Sequence, residues 1–516
     1  MQTVTPQFES IAKDTNVRPI SYSGRVAWEK QFDDDVTFFT LDVSLLDGID
    51  ILAPSEDNPI QEFDYYEYTN VDDRMQSLEV SRELEFPFSV ASAIADFTLE
   101  NHDDYYTPNS GSPVSPYVLP SRPVRLLMGF NNELLQQMVG LTEGMPTIDE
   151  TSKTVSFHAM DWFSKLFTLK VPNIISMQNA RTDEVLAELF DAAGLLPTQY
   201  SLAKGRNVIK FLTIEAGLNL GNVIRQLMQA EMGQLFMDEQ GVIRFLPRLE
   251  EVITADYTFN NENIVDIKTI NVQNIINVVE INASVREVQQ KQPIFTLADY
   301  ANDDFVVPAS SSKDIFVALD DPALTATEPT AGASTTDSYY IAVNNDTEAA
   351  VGLVTITSDF LFTDSYRMTV ANANAFDIRL SELVVWGEPA KIVDTINYVR
   401  RDEDSITKYE ERVLTINNDF IQSIDACDSF ALMTLDSYAE YSGDVEITVR
   451  GTPALQLGDI IDVTKDTFTG EYRVTKIVNK IVSKEFGQVL NGRRYTPRSW
   501  FILDQSVLDG TDLLAP

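Results

Sequence analysis

The chain has 516 residues, 38 of them lysine or arginine and 79 aspartate or glutamate, for a formal net charge of −41. A surface this acidic repels phosphate, which argues against a protein that reads or wraps nucleic acid. Apolar residues make up 44%, enough for the cores of roughly three or four domains, while no run of eighteen apolar residues predicts a membrane span.

Residues 1–10 lack a basic stretch followed by an apolar one, so no secretory signal is expected. The single cysteine, Cys427, excludes an intrachain disulfide framework and fits assembly in a reducing cytosol. The acidity itself has several open readings: ordinary solubilising charge, a salt-adapted surface, a set of cation sites, or the wall of a channel that nucleic acid crosses without sticking.

In chain order, Tyr22–Trp28 and Val36–Val43 read as strands parted by the acidic turn Asp33-Asp34-Asp35, and residues 54–75 read as a loop. Strand character resumes from Ser77 to Leu99 and ends in Leu99-Glu-Asn-His-Asp-Asp-Tyr-Tyr-Thr-Pro108, followed by the loop Asn109–Pro113. From Ser121 to Leu169, short apolar runs are separated by Asn-Asn, Glu-Gly and Asp-Glu-Thr-Ser turns, a strand–turn–strand ladder. There Val155, Phe157 and Ala159 alternate with Ser156 and His158, so one face packs and the other meets water or a partner.

Helices come next. Thr182 is placed to cap a helix whose first turn holds Asp183 and Glu184, with Val185, Leu186, Leu189 and Phe190 as its buried stripe and Gly194 as its end. A second helix carries Leu220, Val223, Ile224, Leu227 and Met228 and closes at Gly233; Gln234–Leu246 then reads as a hairpin around Gln240-Gly241. Asn260–Ile267 and Asn274–Ile281 begin a further set of strands. From Pro293 onward the composition shifts to Ala, Thr, Ser and Asp, with strands at Ile315–Leu319, Val351–Thr357 and Leu380–Trp386 and a flexible loop at Ala326–Asp337, the pattern of an inserted β-sandwich. A helix over Ala426–Tyr441, packing through Phe430, Met433, Leu435 and Tyr438, precedes strands at Val445–Val449, Leu457–Val463 and Tyr472–Val478.

Four of these stretches carry a resemblance: Leu99-Glu-Asn-His-Asp-Asp-Tyr-Tyr-Thr-Pro108 with the loop after it, Arg122-Pro-Val through Phe157-His-Ala-Met-Asp161, Ala230-Glu-Met-Gly-Gln-Leu-Phe-Met-Asp-Glu-Gln-Gly-Val-Ile-Arg-Phe245, and Gly451-Thr-Pro-Ala-Leu-Gln-Leu-Gly-Asp459 with Val463. Together they resemble the tail-tip, or baseplate, hub proteins of long-tailed bacteriophages. Similar segments cover most of residues 77–292 and 400–495. The resemblance implies a mainly β fold with a small α+β part. Its expected units are strands and a loop at 1–76, a tube-like β-barrel at 77–172 and an α+β domain at 173–250. A second barrel is expected at 251–292 plus 396–500, an inserted β-sandwich at 293–395 and a tail at 501–516. It further implies a non-enzymatic virion protein at the distal end of the tail, a homotrimer that adapts a sixfold tail tube to a threefold tip. Its partners would be its own copies, tail-tube and distal tail proteins, and tip or fibre proteins. Viral DNA would pass through without being bound, and host-surface glycan is a possible ligand of the insert. The competing classes are an adhesin whose insert binds the host and a cell-wall hydrolase fused to a hub.

One repeat stands apart. Phe39-Thr-Leu-Asp-Val-Ser-Leu-Leu-Asp-Gly-Ile-Asp-Ile-Leu-Ala-Pro54 recurs as Phe501-Ile-Leu-Asp-Gln-Ser-Val-Leu-Asp-Gly-Thr-Asp-Leu-Leu-Ala-Pro516, with eleven of sixteen positions identical. It reads either as a tight-turn hairpin used twice or as two copies that dock on equivalent grooves of neighbouring subunits or barrels. Unchanged ring assembly after truncation beyond Trp500 would overturn the second reading.

Motifs for catalysis are missing: no His-Glu-x-x-His, Cys-x-x-Cys, Gly-x-Ser-x-Gly or phosphate-cradling glycine loop occurs. His102 and His158 lie in different strand contexts; His158 with Asp161 forms a base–orienter pair on paper but has no nucleophile beside it. Asp33-Asp34-Asp35 and Asp103-Asp104 lack the spacing of a calcium loop and read as solvated turns. Tyr339, Tyr340 and Trp386 suit either sugar stacking or core packing. No catalytic, cofactor or metal residue is therefore assigned.

Overall fold

The computed structural model describes residues 1–13, 18–29, 66–84, 89–172, 174–247, 255–270, 275–297, 303–361, 365–440 and 443–495. Strands dominate, as the alternation of apolar and polar residues requires. A thirteen-stranded sheet runs through both ends of the chain. Its first half orders Met75–Glu83, Ile94–Glu100, Thr154–Asp161, Glu133–Asp149, Pro123–Phe130, Ile20–Val26 and Thr69–Asn70, each antiparallel to the next. The last and first of these are consecutive in sequence, joined only by the 3-10 turn Asp72–Arg74. There the Val71 amide donates to the Gly24 carbonyl (2.9 Å) and the Gly24 amide donates to the Asp72 carboxylate (2.7 Å). The half-sheet thus curls until its ends meet across one turn.

Its inner face holds Leu78, Val80, Phe97, Leu99, Leu126, Met128, Val155, Phe157 and Ala159, all buried. Phe97 and Phe157 are register partners and stack at 5.1 Å between ring centroids, the kind of cross-strand aromatic pair that stabilises a sheet.

The second half contains Ile264–Thr269, Val445–Val449, Glu485–Arg494 and Phe468–Val482, with Ile460–Lys465 and Tyr257–Phe259 branching from the last. Phe259, Ile447, Val449, Ile461, Val463, Tyr472, Val474, Ile477 and Leu490 fill its core. The halves are one hydrogen-bonded sheet: Met75–Glu83 pairs antiparallel with Phe468–Val482, from Glu83↔Lys476 to Ser77↔Val482.

Between the halves in sequence, helices Thr182–Ala192 and Leu220–Glu231 pack with the strand pair Ile175–Arg181 and Val208–Ile214. A four-stranded sheet completes this unit, and one of its strands, Ser89–Ala91, comes from the loop beside the first half-sheet and runs parallel to Gln234–Met237. The hairpin at Gln240-Gly241 forms as expected. Two helix ends differ from expectation. Thr182 is the first helical residue and not the cap: its hydroxyl is buried and donates to Glu231 (2.8 Å), while the Arg181 amide donates to the Glu184 carboxylate (2.8 Å). At the other helix Met232, at φ +54, takes the left-handed position expected at Gly233.

Val278–Val288 and the helix Ile424–Tyr438 were grouped above with the second barrel, but they do not join its sheet. Val278–Val288 pairs with the end of the 24-residue strand Ile378–Arg401 and with Val413–Asn417. Its inward residues Val279, Ile281, Ala283 and Val285, together with Cys427, Phe430 and Ala431 of the helix, share the core of the α+β unit. Alternation identifies a strand but does not say which core receives its apolar face. The beginning of Ile378–Arg401 serves the insert, where Leu380, Leu383 and Val385 pack against Ile315, Val317, Tyr366, Met368 and Val370 of a three-stranded sheet. Ala326–Asp337, expected as loop, contributes the short strand Thr330–Ala331.

Candidate functional site

The residues singled out for chemistry are kept apart by the fold. His158 and Asp161 sit three positions apart on one strand and so face opposite sides. His158 is half-buried, with Nδ1 2.8 Å from Asp96 and Nε2 3.5 Å from Glu143, its two cross-strand neighbours. Asp161 is fully buried and accepts from the Ser92 hydroxyl and the Ala93 amide, both at 2.6 Å. His102 lies exposed, 3.0 Å from Glu100. Cys427 is buried on the helix Ile424–Tyr438, and burial pushes its thiol up to about 11, so it stays protonated and unreactive.

Asp103 is held by both terminal nitrogens of Arg74 (2.6 and 2.8 Å), which pull its carboxyl down to about 2; Asp104 lies 3.9 Å from Lys153. Asp33-Asp34-Asp35 and both copies of the repeat fall outside the described residues. Tyr340 is a core residue, whereas Tyr339 pairs with Val384 on the opposite face, the face that also carries the half-buried Trp386. No group of three His, Cys, Asp or Glu side chains among the described residues is placed to hold a metal ion.

What the fold does bring together is the seam between the two half-sheets. On the outer face, Lys480 meets Glu79 and Lys476 meets Glu83, each at 2.6 Å. On the inner face a chain of buried amides crosses from one half to the other. The Gln137 side-chain amide donates to the Pro453 carbonyl (3.0 Å), and its oxygen accepts from Asn479 (2.8 Å). The Asn479 oxygen accepts from Gln488 (2.7 Å), whose amide group also exchanges hydrogen bonds with the Thr452 backbone (2.9 and 3.1 Å). These four residues are essentially inaccessible to solvent. Buried polar groups are tolerable only when satisfied, and a satisfied chain specifies one arrangement of the elements it links.

The turn Gly451–Asp459 closes this chain. Gly451 adopts φ +40, and a Cβ there would overlap the Gln488 side-chain oxygen. The Gln456 amide donates to Asp459 (2.7 Å), while the Gln456 side chain reaches Glu239 (2.6 Å). Glu239 is also the buried ion-pair partner of Arg82, a seam residue. Burial draws the Arg82 guanidinium down to about 10, partly offset by the nearby carboxylates of Asp238, Asp459 and Asp161, so it remains a cation at neutral pH. The seam, the Gln240-Gly241 hairpin and the Gly451–Asp459 turn are thereby fixed to one another. This arrangement holds β units in register.

Sequence reasoning reached the Gly451–Asp459 turn but missed Gln137, Asn479, Gln488 and the Arg82–Glu239 pair. The available signal was a polar residue at an inward position, such as Asn479 between Ile477 and Ile481.

No protein-family model and no curated protein matches the sequence. Among solved structures the chain is similar to the tail protein from Neisseria meningitidis, at 10% identity over 83% of this chain and 94% of that one, with a TM-score of 0.46. It is similar to the 43 kDa tail protein of prophage MuSo2 from Shewanella oneidensis, at 10% identity over 83% and 95%, TM-score 0.45. A prophage tail protein from Listeria monocytogenes is similar at 9% identity over 84% and 94%, TM-score 0.40. All three are tail proteins.

Proposed function

We propose that this chain is a structural virion protein and not an enzyme: three copies form the hub at the distal tip of a phage tail, adapting the sixfold tube to a threefold tip and lining the channel through which DNA leaves. The observation that carries this reading is the seam. One chain places two β units edge to edge in a single sheet and locks them with a buried amide chain. Three chains then present six such units, and a closed ring needs heterologous contacts that a rigid two-unit subunit supplies. The net charge of −41 keeps passing DNA from adhering to the wall. Its partners in this reading are its own copies, the tail tube, distal tail proteins, and tip or fibre proteins.

Light scattering followed by two-dimensional image averages tests the proposal. The expected particle has a mass of about three times 57.8 kDa and a central hole. A protein that stays monomeric, alone and mixed with tail-tube protein, would overturn it.

The placement of Tyr339 and Trp386, both half-buried, on one face of the insert supports a second reading, an adhesin whose insert stacks on host glycan. A glycan array probed with the full chain and with Trp386→Ala discriminates: equal signals, or none, count against it.

A further inference from the structure

A cleft of about 650 Å³ opens between Ala203–Arg206, the hairpin at Phe236–Pro247 and the turn Gln456–Asp459. Its floor is apolar, formed by Phe236, Leu246, Pro247 and Leu457, and its lining carries the cations Lys204, Arg206, Arg244 and Arg473. The acids of the cleft are already engaged. Asp238 accepts from Arg244 (2.8 Å) and from the amides of Gln240 and Val242 (3.0 and 2.9 Å). Glu239 is held by Arg82 and Gln456, and Asp459 by the Gln456 amide and the Met1 amino group (2.7 and 2.8 Å). Lys204 and Arg206 are exposed and form no ion pair among the described residues. In a chain of charge −41, cations gathered over an apolar floor are a local reversal of the surface field, fit for an acidic, apolar peptide.

Two observations select the peptide. The described chain ends at the wall of the cleft: Arg493 is the register partner of Arg473, and the Tyr495 amide donates to the Glu471 carbonyl at 2.9 Å. The sequence that follows, Phe501–Pro516, sets Asp504, Asp509 and Asp512 among apolar residues and contains no lysine or arginine. The six residues from Tyr495 to Phe501 span about 20 Å when extended, enough to cross the mouth of such a cleft. We propose that this cleft is the docking site for residues 501–516 of the same chain, with their leucines on the floor and their aspartates at Lys204 and Arg206. The proposal does not rest on the hub reading.

A fluorescent peptide of residues 501–516 titrated onto the chain ending at Trp500 tests it by anisotropy. Saturable binding is expected, weakened at least about tenfold by Lys204→Glu with Arg206→Glu, and equally by replacing the three peptide aspartates with asparagine. No binding at millimolar peptide, or an affinity unmoved by both changes, would overturn the proposal. So would a clear preference for a peptide of residues 39–54. In the intact chain, hydrogen exchange provides a second reading that needs no truncation: amides of 501–516 are expected to exchange about tenfold faster in the charge-reversed variant. Identical rates in parent and variant would also overturn it.

Discussion

Asp161 is enclosed on every side, and although the Ser92 hydroxyl and Ala93 amide stabilise its charged form, burial still raises its carboxyl from the ordinary 3.8 to about 6. The folded carboxyl therefore holds its proton more readily than the unfolded one. Between about pH 4 and 6 the folded state binds more protons, and this group's contribution falls as pH rises. Asp161→Asn removes the titration and keeps one acceptor. Measured by urea unfolding at both ends of that window, the stability of the variant relative to the parent is expected to improve with rising pH, by at most about 3 kcal/mol. Comparing the two proteins cancels the many other carboxylates, and a difference that is flat in pH would contradict the account. Gly451 is a second decisive residue. At φ +40 and against Gln488, Gly451→Ala adds left-handed strain of about 1–2 kcal/mol and displaces a buried amide at a further cost of about 1–3 kcal/mol. A fall in unfolding midpoint matching about 2–5 kcal/mol is expected; a neutral effect would mean the turn relaxes freely.

At the scale of elements, the two faces of the seam differ in what they contribute. Lys480 and Glu79 are solvated, and exposed pairs of this kind are worth about 0–1 kcal/mol. Asn479, one residue away on the same strand, is buried between Gln137 and Gln488. Asn479→Ala leaves a donor and an acceptor unmatched and is expected to cost about 2–4 kcal/mol, against under about 1 kcal/mol for Lys480→Ala. Equal effects in parallel denaturation curves would remove the amide chain as the lock. The same contrast explains what was legible beforehand. Val155, Phe157 and Ala159 announced their strand and its buried face, and Leu220–Met228 announced a helix, because solvent periodicity is local information. That Val278–Val288 packs on the α+β core, and that Ser89–Ala91 pairs with Gln234–Met237, depends on contacts between segments more than a hundred residues apart in the second case. A period of two cannot encode them. Thr182 misled for a similar reason: capping chemistry is local, but its hydroxyl was claimed by Glu231, a partner from another helix.

On the scale of the whole molecule, charge sets two opposite dependences on salt. Copies that each carry −41 repel one another before they touch, and that repulsion reaches about 30 Å at 0.01 M salt but only about 3 Å at 1 M. If the chain closes into a threefold ring, its interfaces form against this field, so the trimer fraction at fixed protein concentration is expected to rise with ionic strength. The cleft lined by Lys204, Arg206, Arg244 and Arg473 attracts its acidic peptide through the same field with the sign reversed, so docking of residues 501–516 is expected to weaken over the same range. Sedimentation of the full chain and anisotropy of the peptide, each followed from about 0.01 to 1 M salt, separate the two processes. A trimer that dissociates as salt rises would place complementary ion pairs at the ring contacts and remove self-repulsion as the factor limiting assembly. Peptide binding that strengthens with salt would assign the cleft's affinity to its apolar floor alone, with Lys204 and Arg206 as bystanders.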